Sequence, residues 1–184
     1  MKESAKIVVI TGAESTGKST LAKELAEYFH VPYIPEIARN YVEKLTKKYN
    51  YHDVETIAKM QVGQLSQFRN SEHPYIFVDT WLIITKVWFE VVFKKFPEWL
   101  ENEIVSTPID LFLVCDTDIP WIPDPVRENG GENRLILQNK YIEEIKNYKF
   151  NYTIISGFDK NRIANAVEQV KLLTEIETIR GESC

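Results

Sequence analysis

Three observations predict an α/β fold with a five-stranded parallel sheet and helices on both faces. Short apolar runs recur along the chain, long helical patterns separate them, and a phosphate-loop pattern joins the first run to the first helix. Such alternation is how a parallel sheet, buried on both sides, is covered.

The expected strands are "KIVVITG", a brief "VPYIPE", "YIFVDT", "DLFLVCD" and "NYTIISG", each bounded by turn-forming residues. Between them, "KSTLAKELAEYF" places Leu21, Leu25, Tyr28 and Phe29 on one helical face. "DVETIAKMQVGQLSQF" does the same with Ile57, Met60, Leu65 and Phe68. "TWLIITKVWFEVVFKKF" is apolar almost all round and reads as an interior helix. Pro97 and Pro108 punctuate the chain beyond that helix, and Gly130-Gly131 precedes the helical "ENRLILQNKYIEEIKNYKF". "DIPWIPDPVRENGGENR" is the one long irregular stretch, so residues 120–135 read as a lid. With no repeat or linker, residues 1–184 form a single expected domain.

The composition, 44% hydrophobic and 27% charged, is that of a globular protein. The formal charge of −5 comes from interleaved acids and bases without a Lys/Arg stripe, so nucleic acid is not an expected partner. No apolar run approaches the ~20 residues of a membrane span, and the N-terminus shows no signal peptide. Cys115 and Cys184 lack the spacing of a zinc site or redox pair, which suits the reducing cytoplasm. His30, His52 and His73 are isolated and carry no expected chemistry. The pattern leaves the oligomeric state open.

"ITGAESTGKST" carries the chemistry. Gly12 and Gly17 permit backbone bends that turn N–H groups toward phosphate, and the helix starting near Lys18 adds its positive end. Gly12, Ala13, Glu14, Ser15, Thr16, Gly17, Lys18, Ser19 and Thr20 therefore form the expected ATP cradle. Lys18 is expected to reach the β- and γ-phosphates and Ser19 to ligate Mg²⁺. A strand before the loop and an amphipathic helix after it predict a three-layer P-loop NTPase fold, strand order 2-3-1-4-5. Asp79, closing "YIFVD", is expected to hold Mg²⁺ or to accept a proton; its alternative is to cap the next helix. "NKYI" lacks the acid of a guanine-reading element, and the chain is short for a mechanical ATPase.

The order and spacing of "ITGAESTGKST", "PEIARNYV", "YHDVETIAKMQ", "IFVDTWLIITK" and "DIPWIPDPVRENG" resemble the ribosylnicotinamide kinase domain of bacterial NadR proteins, over most of the chain. The resemblance implies ATP-dependent phosphorylation of nicotinamide riboside at its 5′-hydroxyl, giving nicotinamide mononucleotide for NAD synthesis. The phosphate loop begins near residue 12, so the adenylyltransferase domain that precedes the kinase in full-length NadR is not expected on this polypeptide.

Such an acceptor carries a pyridinium cation and ribose hydroxyls, which favour aromatic faces and carboxylates. Trp121 is expected to stack on the ring and Asp124 to hold the charge or the ribose; pinning the loop is the alternative for Trp121. Glu36 and Arg39 are expected on the acceptor side, with Glu36 a rival to Asp79 for general base; the alternative is a helical contact between the two. Arg127 and Arg134 are expected to close over the triphosphate, and Gln61 to face the substrate or a polar helix surface. Glu14 is expected to meet the acceptor or to pair with Arg39 or Arg127. By position alone, "SGFDKNR" is the candidate base pocket. Another nucleoside or nucleotide acceptor, or an ATP-sensing module without turnover, remain the competing readings.

Overall fold

The computed structural model describes residues 4–68, 71–124 and 127–181; Pro125 and Val126 of the expected lid, and Cys184, lie outside them. Five strands alternate with seven helices among the described residues: β1 (Lys6–Thr11), α1 (Lys18–Phe29), β2 (Tyr33–Ile34), α2 (Ala38–Glu43), α3 (Tyr51–Ser66), β3 (Tyr75–Asp79), α4 (Leu82–Phe93), α5 (Glu98–Ser106), β4 (Leu111–Cys115), α6 (Glu132–Asn147), β5 (Tyr152–Ile155) and α7 (Asp159–Gly181). All pairings are parallel and the order is β2-β3-β1-β4-β5, as expected.

Residue alternation along the central strands builds two cores. Ile7 and Val9 of β1, with Ile76, Val78, Phe112 and Val114, face α3 to α6. Val8 and Ile10, with Phe77, Leu111, Leu113 and Cys115, face α1 and α7. β1 is buried on both sides, so its C-terminal end is a fixed platform for the loop after it. In register, Ile10 lies opposite Asp79, which brings the end of β3 beside that loop.

Two face assignments need correction. Tyr28 is half exposed, at the α1–α7 rim under the Lys171 ammonium, while the buried face of α1 is Leu21, Ala22, Leu25 and Ala26. Met60 also points outward; the inward stripe of α3 is Val54, Ile57, Ala58, Gln61 and Leu65. The α3 stripe follows the i, i+3, i+4, i+7 rule, whereas the buried face of α1 is two adjacent pairs one turn apart, i, i+1, i+4, i+5.

The start of α3 is locally encoded. Asn50 accepts from His52 N and Asp53 N, at 2.8 and 3.3 Å, and Asp53 accepts in return from Asn50 N at 2.8 Å. This capping box satisfies N–H groups the helix cannot bond itself. α4 is an interior helix only as far as Phe89, with Val91 and Val92 exposed at its last turn and one charge inside. Lys86, 6% exposed at its side chain, bonds Glu90 at 2.6 Å and Glu144 of α6 at 2.7 Å.

Candidate active site

A cavity of about 680 Å³ opens beside the phosphate loop and is lined by residues 14–20, Glu36, Arg39, Gln61, Thr80 and the lid residues Asp124, Arg127, Glu128 and Asn129. Tyr49, Trp88 and Tyr141 supply aromatic walls. Its size is that of a small-molecule site.

Gly12 and Gly17 have distinct structural reasons. Gly12 is buried at φ 136°, and a Cβ there would lie 2.7 Å from the Cys115 carbonyl oxygen. Gly17 takes φ 76° at the N-cap of α1, where no side chain caps the helix. The first N–H groups of α1 are thus left to a ligand or water. Lys18 Nζ bonds the Ala13 carbonyl at 2.9 Å, and Thr16 Oγ1 donates to the same oxygen at 2.9 Å.

Glu14 binds the lid. Its carboxylate accepts from Asn129 N at 3.0 Å, Asn129 Nδ2 at 2.9 Å and Glu128 N at 3.4 Å. It therefore pairs with backbone and amide donors rather than with Arg39 or Arg127. Ser15 Oγ adds a second tie, accepting from Ile122 N at 3.0 Å.

Asp124 lines the cavity with its carboxylate bonded to Arg39 at 2.8 Å and 3.7 Å from Arg127 Nε. Arg39 also meets Glu43 at 3.4 Å, so its bonds join α2 to the lid instead of forming the local pair with Glu36. Tyr49 reaches the lid as well, donating to Glu128 at 3.1 Å. The lid is held from three sides, by the phosphate loop, α2 and the segment before α3.

The rival acids separate. Glu36 lines the cavity, and burial pushes its carboxyl above the ordinary range; Lys18 pulls it down, Asp79 pushes it up, and Arg39 and Arg127 pull it down. Asp79 is 2% exposed and does not line the cavity; it accepts from Thr80 Oγ1 at 3.3 Å. Nor does it cap α4, whose N-cap is Trp81. Thr80, between them, sits at φ 68°, a left-handed conformation in which a β-branched residue is an outlier. Its N–H bonds Ile10 O at 2.9 Å, which holds that turn against β1.

Two lid expectations are corrected. The Trp121 indole packs on Gly130, where an added Cβ would meet the ring at 3.2 Å, and does not line the cavity. Arg134 is buried and donates to three carbonyls, Glu14 at 3.0 Å, Ile119 at 2.9 Å and Ser15 at 2.9 Å, which holds it away from the cavity. The segment "SGFDKNR" does not line it either. Asp118 accepts there from Gly157 N at 2.6 Å and Arg162 Nη1 at 2.8 Å.

Gln138 was not singled out by sequence and Arg162 entered only as the last residue of "SGFDKNR", the candidate base pocket, yet both bond the phosphate loop. The legible signal was a polar residue on an apolar stripe. The buried face of α6 is Arg134, Leu137, Gln138, Tyr141 and Ile145, and Arg162 precedes Ala166, Val167 and Val170 on α7. Gln61 follows the same rule, accepting from Thr85 Oγ1 at 2.7 Å beside the cavity.

A family model described as an AAA domain matches residues 7–162. The chain belongs to that family. This AAA-family chain is 25% identical over 175 residues to the trifunctional NAD biosynthesis/regulator protein NadR of Salmonella typhimurium, covering 90% of the chain and 42% of the relative. NadR of Escherichia coli is 24% identical over 174 residues, with the same coverage. The AAA-family chain thus spans less than half the length of these curated relatives. Among solved structures it superposes on NadR in complex with NR at a TM-score of 0.76 and 22% identity, covering 93% of the chain and 50% of that one. Deoxyadenosine kinase from M. mycoides with dCMP and dCDP matches at 0.65 and 17% identity, covering 90% and 98%. These likenesses show that the AAA-family chain has the three-layer fold of P-loop kinases. Among its described residues, no helix is long and apolar enough to cross a membrane.

Proposed function

We propose that the protein is a cytoplasmic, ATP-dependent kinase that phosphorylates the 5′-hydroxyl of nicotinamide riboside, giving nicotinamide mononucleotide for NAD synthesis. The observation that carries this reading is the cavity that joins the phosphate loop to Glu36 and to an aromatic wall. The likeness to NadR, one of whose structures holds NR, supplies the acceptor.

The loop N–H groups and Lys18 bind the triphosphate, and α1 directs its positive end at it. Ser19, a hard hydroxyl donor that lines the cavity, would hold Mg²⁺, and Asp79, buried at the end of β3 beside the loop, would act on the ion through its water shell. When bound, Mg²⁺ neutralises charge on the phosphate oxygens. Glu36, its proton affinity raised by burial, takes the proton of the 5′-hydroxyl. That oxygen then bonds the γ-phosphorus while the bond to the β–γ bridging oxygen breaks, and ADP leaves with the electron pair. Arg127 faces the same cavity, where its charge stabilises the transferring group.

The pyridinium cation is met by Trp88 and Tyr49, whose rings form an edge-to-face pair 4.8 Å apart, in place of Trp121. Asp124 and Arg39 shape the ribose end through the lid. A product assay with nicotinamide riboside, uridine and deoxynucleosides tests the acceptor. Phosphorylation of the riboside in preference to the others supports the reading; exclusive use of a deoxynucleoside refutes it.

A further inference from the structure

We propose that Arg134 and Arg162 are positioning residues that grip the phosphate-loop carbonyls from behind and thereby aim its N–H groups at the phosphates, while Gln138 anchors the first turn of the loop by holding the Ala13 N–H itself. The inference rests on the loop binding a nucleotide. It gives this task to three buried side chains that do not line the cavity.

The grip is continuous along the loop. Gln138 Oε1 accepts from Ala13 N at 2.7 Å, while its Nε2 donates to Cys115 O at 2.9 Å, tying the first turn to the end of β4. Arg134 takes the next two carbonyls, Glu14 O at 3.0 Å and Ser15 O at 2.9 Å. Arg162 Nη2 takes the one after, Thr16 O at 3.2 Å, and Asp116 O at 3.0 Å. Three successive carbonyls are therefore held by guanidinium donors from α6 and α7.

The peptide plane turns this grip into an orientation. In a trans peptide the C=O of one residue and the N–H of the next point in opposite directions. Holding the carbonyls of Glu14, Ser15 and Thr16 turns the N–H groups of Ser15, Thr16 and Gly17 the other way, and these three residues line the cavity. A cradle whose dipoles are already set does not have to reorganise when the anion arrives. The Arg134 guanidinium also lies behind an anion site, where its field favours phosphate, whereas the charge of Arg162 is paired with Asp118 at 2.8 Å.

Arg134 and Gln138 stand one helical turn apart at the start of α6, directly after the lid, so the grip links the lid to the loop mechanically. Side chains that merely satisfied buried groups would alter stability and leave phosphate recognition alone. That difference is measurable.

The test is calorimetric titration of ATP, inorganic tripolyphosphate and nicotinamide riboside into wild type, Arg134→Lys and Gln138→Met, with thermal unfolding of each. Lysine keeps the charge of Arg134 and loses its fork, whereas Met keeps the shape of Gln138 and loses both bonds. The expected result is a loss of about tenfold or more in affinity for ATP and tripolyphosphate in each variant, with riboside affinity unchanged. Lower stability with wild-type phosphate affinity overturns the proposal, as does a loss for ATP that spares tripolyphosphate. If Arg134→Lys does not fold, Gln138→Met decides by the same criteria. Wild-type protein that binds neither ATP nor tripolyphosphate overturns the nucleotide reading itself, and the grip with it.

Discussion

Glu36 is the residue where environment and chemistry meet most directly. Burial raises its carboxyl, so the ionised form is disfavoured in the folded protein and becomes a stronger base once formed. Glu36→Gln is expected to lower kcat by about 10²–10⁴-fold with ATP affinity retained, as measured by single-turnover product formation and calorimetry. The linkage has a definite sign. A carboxyl raised in the folded state favours folding most below its ordinary value of 4.5, and this contribution is lost as pH climbs through the raised value. Ligand-free Glu36→Gln is therefore expected to be more stable than wild type at neutral pH, with the gap closing as pH falls toward 4.5; thermal unfolding across pH checks it. Glu14 makes the complementary case. Because its carboxylate holds Glu128 and Asn129, Glu14→Ala is expected to speed proteolytic cleavage within 120–131 several-fold.

Strands and helices were legible wherever periodicity was strong. β1, β3 and β4 show as uninterrupted apolar runs because both faces are buried, and the stripes of α1 and α3 announce their helices. What escaped was polar: Gln138, and Arg162 in its contact with the loop, each occupy a core position that a hydrophobic template skips, whereas Gln61, expected to face the substrate or a polar helix surface, lines the cavity. α7 escaped as well, although Ile163, Ala166, Val167, Val170 and Leu173 form an i, i+3, i+4, i+7, i+10 stripe. The α4–α6 contact shows the cost of such positions. Lys86 is buried between Glu90 and Glu144, and the two carboxylates outweigh burial to hold its ammonium charged. Lys86→Met is expected to destabilise by about 1–3 kcal/mol in urea unfolding, because it leaves Glu144, 16% exposed, without that partner.

At the scale of the whole molecule, the sheet delivers the phosphate loop and Asp79 to one edge, and the lid, α2 and the segment before α3 close over them. That edge could be placed from sequence because the loop pattern sits between a strand and a helix. The acceptor side could not be placed so well. Trp121 looked suited to a cationic ring, yet it packs on Gly130, and the cavity draws its aromatics from Trp88, Tyr49 and Tyr141 on three separate segments. Long-range assembly of that kind leaves no local pattern to read. Catalysis in such a site comes from positioning and electrostatics, so its signature is dependence on acceptor identity and on Lys18. The central measurement is mass-spectrometric product analysis after incubating the protein with ATP, Mg²⁺ and nicotinamide riboside, with Lys18→Ala as control. Nicotinamide mononucleotide and ADP formed one for one by wild type, and at least ~10²-fold more slowly by the variant, is the expected result. ATP binding without nicotinamide mononucleotide would contradict it.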